Sequence, residues 1–267
     1  MAQERNKKIG IIGYGQIGSS LCEQLSQDSS GGVEVVCIHE SAPEIMAQVP
    51  KEKAAASVEK MLDLNLDLVV EAAHPDVVRR YAETVLARTD MMIMSVSAFS
   101  DQGLEDTLKS ACQKSGHRLY IPHGATLGLD GLRDGLSIWE EVSITMRKNP
   151  RNLNFNAAPH LKPVDNAGEV VLYDGPTRGV LPLFPKNVNS HATLALATLG
   201  MDKTRSILVS DSRLDESVIE IDAKGGGTSI HIERRNPIKG VTGKLTILSV
   251  VQSLKSILGD EGYLIAV

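Results

Sequence analysis

The stretch "KIGIIGYGQIGSSLCEQL" near the N-terminus leaves few choices of fold. Ile9 to Ile12 form a short apolar run suited to a strand buried on both faces. That run ends in glycine and passes straight into a segment with Ile17, Leu21 and Leu25 at helical spacing. Gly13, Gly15 and Gly18 occupy the junction in the pattern G-x-G-x-x-G. By itself the pattern is weak, but between a strand and a helix it is specific. Gly13 permits the tight turn, Gly15 leaves room for a pyrophosphate to approach the backbone, and Gly18 lets helix and strand pack closely. The free N–H groups of the helix start, at Gln16 and Ile17, then face the phosphate charge. A second buried strand, "VEVVCIHE", ends in Glu40, about twenty residues beyond the glycines, where an acid binds a ribose 2′-OH. No arginine follows in "HESAPE" to hold a 2′-phosphate, which favours NAD, with NADP as the alternative. Glu40 also reads as an ordinary solvated charge at a strand end.

The alternation continues. "LDLVVEAA", "MMIMSVSA" and "HRLYIPHG" read as strands, and Pro75 sits where a helix begins without losing a needed N–H. Val77, Val78, Tyr81 and Val85 give that helix an apolar stripe, and Asp101 is placed to cap a further helix over "DQGLEDTLKSACQKSG". Strand and helix in turn predict an α/β, doubly wound (Rossmann) domain over residues 1–122. Open parallel sheets bind ligands at the carboxyl ends of their strands, so Ala72, Ala73 and His74 are expected beside the nicotinamide half of a dinucleotide. His74 equally suits a solvent-facing helix start. Residues 123–242 differ. "EEVSITMRKN", "EVVLYDG", "RSILVSD", "ESVIEIDAKG" and "TSIHIERR" alternate with period two, predicting an α+β second domain on a mixed, mostly antiparallel sheet. A last helix over 243–258 has an apolar face, from Ile247 to Leu258, suited to packing back on the first domain.

Composition narrows the partners. A net charge of −5 argues against nucleic acid or an anionic membrane, and 3% aromatic residues against base-stacking surfaces. No apolar run approaches the ~20 residues of a membrane span, and "MAQERNKKIG" lacks the apolar core of a secretion signal. Cys22, Cys37 and Cys112 are scattered, which favours reduced thiols in a cytoplasm over disulfides or a metal cage. No nucleophile elbow, H-E-x-x-H or Walker A loop offers other chemistry.

"IGIIGYGQIG", "LVVEAAHP", "SVSAFSD", "GATLGLDGL", "PKNVNSHATLALA" and "NPIKGVTG" occur here in an order that resembles the L-aspartate dehydrogenases, including the aspartate dehydrogenase domain-containing proteins of animals. The resemblance runs from Lys8 to about Leu258. It implies a nucleotide-binding domain followed by a mixed-sheet domain, a homodimer, and reversible NAD(P)-linked oxidative deamination of L-aspartate to iminosuccinate, hence oxaloacetate and ammonia. It also implies that Ala125 and Asn189 contact NAD. The amides of Asn187 and Asn189 are then expected to hold the nicotinamide carboxamide and an acidic substrate, with helix capping as the other reading. His123, just before the NAD-contacting loop, is a further candidate near substrate.

One family position departs. Relatives carry an active-site histidine in a strand written roughly N-x-H-E-I, and its equivalent here is Ile219. His191, one turn into the helix of "NSHATLALA", is the remaining acid–base candidate, with structural capping as its alternative. Arg178 and Lys186 are candidates for the carboxylates of a dicarboxylic amino or imino acid. Two other functions stay open: an imine reductase or amino-acid dehydrogenase for a different substrate, and an NAD-binding protein without turnover.

Overall fold

A computed structural model describes residues 6–27, 32–164, 168–237 and 244–259. It divides into two compact units. The first takes the chain up to Ser95, Gln102–Pro122 and the stretch from Ile247; the second takes Val96–Asp101 and His123–Thr246.

In the first unit, β1 (Lys7–Ile12), β2 (Val33–His39), β3 (Leu68–Glu71), β4 (Asp90–Ile93) and β5 (Leu119–Tyr120) form a sheet in the order β2-β1-β3-β4-β5. Every pairing is parallel. Crossovers run through α1 (Gln16–Gln27), the short α2 (Pro43–Met46) and α3 (Val58–Leu62), then α4 (Pro75–Leu86) and α5 (Gln102–Ser115). Ile9, Ile11, Leu68, Val69, Val70, Met91, Met92 and Ile93 are wholly enclosed, as strands covered on both faces require. The last strand is shorter than "HRLYIPHG" suggests. It ends at Tyr120, on the sheet's edge, and Pro122 has no N–H with which to extend it. In α4 the buried residues are Pro75, Val78, Ala82, Val85 and Leu86. Val77 and Tyr81, expected in the core stripe, line a surface pocket instead.

The second unit holds α6 (Leu129–Asp134), β6 (Glu141–Lys148), β7 (Glu169–Pro176), α7 (Thr177–Val180), α8 (Asn189–Ala197), β8 (Arg205–Asp211), β9 (Glu216–Gly225) and β10 (Thr228–Pro237). The strand order is β10-β9-β6-β8-β7. β6 and β8 run parallel while the other neighbours are antiparallel. On β6, Val142, Ile144, Met146 and Lys148 are buried, and the first three oppose Ala223, Ile221 and Ile219 on β9. The other face carries Arg147, which donates to Glu220 Oε2 at 3.0 Å and Glu169 Oε1 at 2.8 Å. Ser190 to Ala195 of α8 are buried on every side, which makes this a core helix rather than an amphipathic one. The final helix, α9 (Lys244–Leu258), buries Val250 and Leu254 in the cluster of Ile9, Ile11, Leu21, Val35 and Val70, so it completes the first unit's core.

Candidate functional site

The glycine turn lies where β1, β2 and β3 end together. Gly13 N–H donates to His39 O at 2.8 Å, and Ala72 N–H donates to Ile12 O at 2.9 Å. Gly13 has φ +101°, and a methyl there would stand 2.7 Å from Ala73 Cβ and 2.8 Å from Ala72 O. A methyl at Gly18 would overlap Gly13 O. At Gly15 nothing lies within 4 Å, so the backbone stays open to an approaching group. Gln16 is exposed at the first position of α1, whereas Ile17 packs on the core. These features fit a dinucleotide: the turn is tight at Gly13 and Gly18 for the fold's sake and clear at Gly15.

Glu40 is fixed in this corner. Its Oε2 accepts Tyr14 N–H and its Oε1 accepts Ala42 N–H, each at 2.9 Å. Burial opposes its charge, but these bonds and Ser41 outweigh it and hold the carboxyl below the usual range. Glu40, Gly13, Ala73, Val77, Arg80 and Tyr81 share a pocket of about 150 Å³. His74 is the N-cap of α4, its Nδ1 accepting Asp76 N–H at 3.3 Å. Sequence reasoning missed Glu71, which is fully enclosed at the end of β3. Its carboxyl accepts the N–H groups of Ala73, Met94 and Ser95 and the Ser95 hydroxyl, at 2.8 to 3.2 Å. Burial pushes its pKa up against those four donors. It fixes the Ala72–His74 turn to the end of β4.

In the second unit, the two asparagines do not cap α8. Val188 is the N-cap, without a side-chain bond. Asn187 Nδ2 donates to Asn152 O at 3.0 Å and its Oδ1 accepts Asn154 N–H at 2.8 Å, tying down the loop after β6. Asn189 Oδ1 accepts Ser97 N–H at 2.9 Å. His123 and Ala125 lie in a turn closed by Thr126 N–H to His123 O, and Thr126 Oγ1 donates to Ser190 O at 3.3 Å, which sets this turn against α8. Arg178, expected on a substrate carboxylate, forms two 2.7 Å bonds to Asp202 and one to Phe99 O, so its fork is engaged within the protein.

His191 is fully enclosed and neither ring nitrogen has a hydrogen-bond partner. Burial first, then the charge of Lys148, pushes its pKa down to about 3. Burial of this kind disfavours the charged imidazolium, which weighs against His191 as a proton carrier near pH 7 and for a neutral ring. Around it lies a row of polar groups that sequence reasoning passed over. Lys148, 3% exposed, ends β6 beside Ser210 of β8. Ser217, one step past the Arg147–Val218 pair, flanks it on β9 and opposes Asn236 of β10. Arg234, 9% exposed, opposes Ile219, which in turn opposes Met146. Ser217 Oγ, Arg234 Nε and Nη1, Asn236 Oδ1, Ser190 Oγ and His123 Nδ1 are buried without partners. Burial, then the Arg234 charge, pushes Lys148 down to about 8. Alternation along β6 and β10 carried the signal, since Lys148 falls in phase with Ile144 and Met146, and Arg234 with Ile230 and Ile232. Among the described residues no group of three or more His, Cys, Asp or Glu is placed to hold a metal.

A doubly wound parallel sheet with this glycine turn, joined to a mixed sheet with a buried polar row, defines a two-domain NAD(P)-dependent oxidoreductase. Residues 13–122 match the family described as homoserine dehydrogenase, NAD binding domain, and residues 132–257 match aspartate dehydrogenase, C-terminal. The chain is 33% identical to an L-aspartate dehydrogenase of Methanococcoides burtonii, over 94% of this chain and 96% of that one. It is 31% identical to an aspartate dehydrogenase domain-containing protein of Xenopus tropicalis, over 98% of each. Among solved structures, aspartate dehydrogenase from Thermotoga maritima superposes with a TM-score of 0.79 at 24% identity, covering 98% of this chain and all of that one. The chain belongs to the aspartate dehydrogenase family. No described helix is long and apolar enough to cross a membrane.

Proposed function

We propose that this chain oxidises a short dicarboxylic amino acid, aspartate by the names of its relatives, to the imino acid with NAD(P) as hydride acceptor. The observation that carries the substrate class is the buried polar row, in which Lys148 and Arg234 stand with unpaired Ser217 and Arg234 donors and, among the described residues, no acidic residue on the same face of the paired strands. Buried charge of one sign is costly unless paired. A dicarboxylate supplies the missing acceptors: the Arg234 fork suits one carboxylate, and the unpaired Ser217 hydroxyl can donate to the other. On the cofactor side, Gly13, Gly15, Gly18 and the N–H groups of Gln16 and Ile17 would hold the pyrophosphate, and Glu40 the ribose. Ala72, Ala73, His74, Ala125 and Asn189 would line the remainder, with the bound nicotinamide supplying the hydride acceptor. His123 and the free capacity of the Asn187 amide would face substrate, and His191 enters as a neutral ring. The reading includes a cytoplasmic homodimer, supported by three free cysteines and by exposed Leu136, Ile138 and Val171 on the second unit.

The test is the absorbance of reduced nicotinamide with L-aspartate and either oxidised cofactor, and in reverse with oxaloacetate and ammonium. Turnover on aspartate and far less on alanine is expected. A cofactor-binding protein inert to every dicarboxylic amino acid would overturn the reading. A second reading rests on Ile219, apolar between Arg234 and Met146: a less polar amine or imine substrate, favoured if a monocarboxylic panel outperforms aspartate. Light scattering decides the oligomer.

A further inference from the structure

We propose that the Lys148 side chain is the group that takes the proton from the substrate ammonium, in the place where an imidazole is absent. The inference rests on the dehydrogenase reading above and adds a residue role to it.

Four observations converge on Lys148. It closes β6 on the covered face of the sheet, in phase with buried Met146, and its charge acts on His191 of α8. Among the described residues, the charged or titratable groups coupled to it are His191 of α8 and Arg234 of β10. From β9 come Ser217 and Ile219, and from β8 Ser210 and Leu208, none of which titrates. Glu220, Glu169 and Arg147 are engaged with one another on the opposite face. Arg234 remains charged at any working pH, and His191 remains neutral. Among the described residues of this row, Lys148 alone changes charge near neutrality, its amine brought to about 8 by burial and by Arg234. The unpaired Oγ of Ser217, Nε and Nη1 of Arg234, and both nitrogens of His191 form the surrounding polar shell.

The step balances. Neutral Nζ takes one proton from the substrate ammonium, breaking an N–H bond and leaving the amine lone pair free. That pair would form the C=N bond as the Cα hydrogen leaves with its electron pair, for which a bound oxidised nicotinamide would be the acceptor. Iminium, reduced cofactor and protonated Lys148 result, and Lys148 returns its proton to water. Because the competent form is the unprotonated amine, kcat/KM for oxidation rises with pH through about 8.

The experiment combines kinetics with a readout that needs no turnover. In protein labelled at the lysine Cε carbons, the Lys148 resonance, assigned by side-chain correlation, should titrate near pH 8 in the unsubstituted protein. Lys148→Arg keeps the charge without the titration, and should lower kcat/KM by ~10²–10⁴-fold and abolish the rising limb. Lys148→Ala should regain rate with added primary amines, in proportion to their basicity, which a merely structural lysine would not show. NADH binding and melting curves establish that each variant is folded. A Lys148 resonance that titrates with ordinary lysines, or a Lys148→Arg enzyme with the parental pH profile, overturns the proposal alone. Absence of any turnover by unsubstituted, NADH-binding protein overturns the dehydrogenase reading and this role with it.

Discussion

The three glycines of the turn look alike in sequence, yet the structure assigns them different costs, and alanine at each separates fold from cofactor. Gly13→Ala meets two penalties. Its φ of +101° is one that L side chains rarely adopt, at ~1–2 kcal/mol. Its methyl would also press on Ala73 Cβ at 2.7 Å and Ala72 O at 2.8 Å, overpacking of the kind that costs ~1–3 kcal/mol. Together these give about 2–5 kcal/mol, or roughly 5–20 °C in Tm at 2–4 °C per kcal/mol. Gly18→Ala, blocked by the rigid carbonyl of Gly13, should destabilise at least as much. Gly15→Ala has free space around the new methyl, so its Tm should match the parent or rise slightly through lost unfolded-state entropy. If a pyrophosphate approaches there, the same methyl intrudes on it, and ~1–3 kcal/mol becomes about 5–150-fold in Kd. Melting curves without cofactor and NADH fluorescence titration measure both quantities. A Gly15→Ala protein that binds NADH as tightly as its parent would refute the placement of the phosphates.

Glu40→Ala removes an acceptor from Tyr14 and Ala42 N–H; losing a charged bond to the ribose, ~1.5–3 kcal/mol, should weaken NADH binding tenfold or more and narrow its gap to NADPH. An unchanged NADH-to-NADPH ratio in fluorescence titration would count against Glu40 as the ribose acid. Glu71→Gln turns an acceptor of four bonds into a group with an NH₂ facing N–H donors, so thermal melting should show ~1–3 kcal/mol of lost stability. An unaltered Tm would mean the turn holds without it. His191 has its folded pKa near 3 against about 6.5 unfolded, so the unfolded chain binds the extra proton and stability falls on acidification from about pH 6.5. At ~1.4 kcal/mol per pH unit the loss is about 2 kcal/mol by pH 5; urea midpoints of His191→Leu should lack that component, and equal slopes would show the ring is not the cause.

The parallel sheet was legible because strands enclosed on both faces write continuous apolar runs, such as Val69-Val70 and Met91-Met92-Ile93, and because glycines punctuate the first of them. The second sheet was legible strand by strand, but not in direction. Period-two alternation is the same whether a neighbour runs parallel or antiparallel, and the parallel β6–β8 pair is made by a crossover through β7 and α8. Of the candidate site, Gly13, Gly15 and Glu40 fell on short-range spacing and were readable. Asn187 was read from its place before a helix, whereas its amide bonds a loop about 35 residues away in sequence, which no local pattern encodes. Lys148 and Arg234 were hidden for a different reason: a cation in a strand is ordinarily solvated, so its phase with buried neighbours is easy to pass over.

That phase is the more informative signal. A chain of net charge −5 has ample carboxylates to neutralise a buried lysine and arginine, and it spends them on the opposite face of the same sheet, where Glu220 and Glu169 hold Arg147. Placing one of them beside Lys148 would have offset part of the burial cost, which is several kcal/mol per ion. Instead the row has serines, an asparagine and a neutral imidazole, groups that bond an anion without cancelling the cations. Lys148 reduces the remaining cost by giving up its proton at about pH 8, which also leaves it ready to accept one. The same physical strain that disfavours the row in isolation thus selects an anionic guest and prepares the base that acts on it.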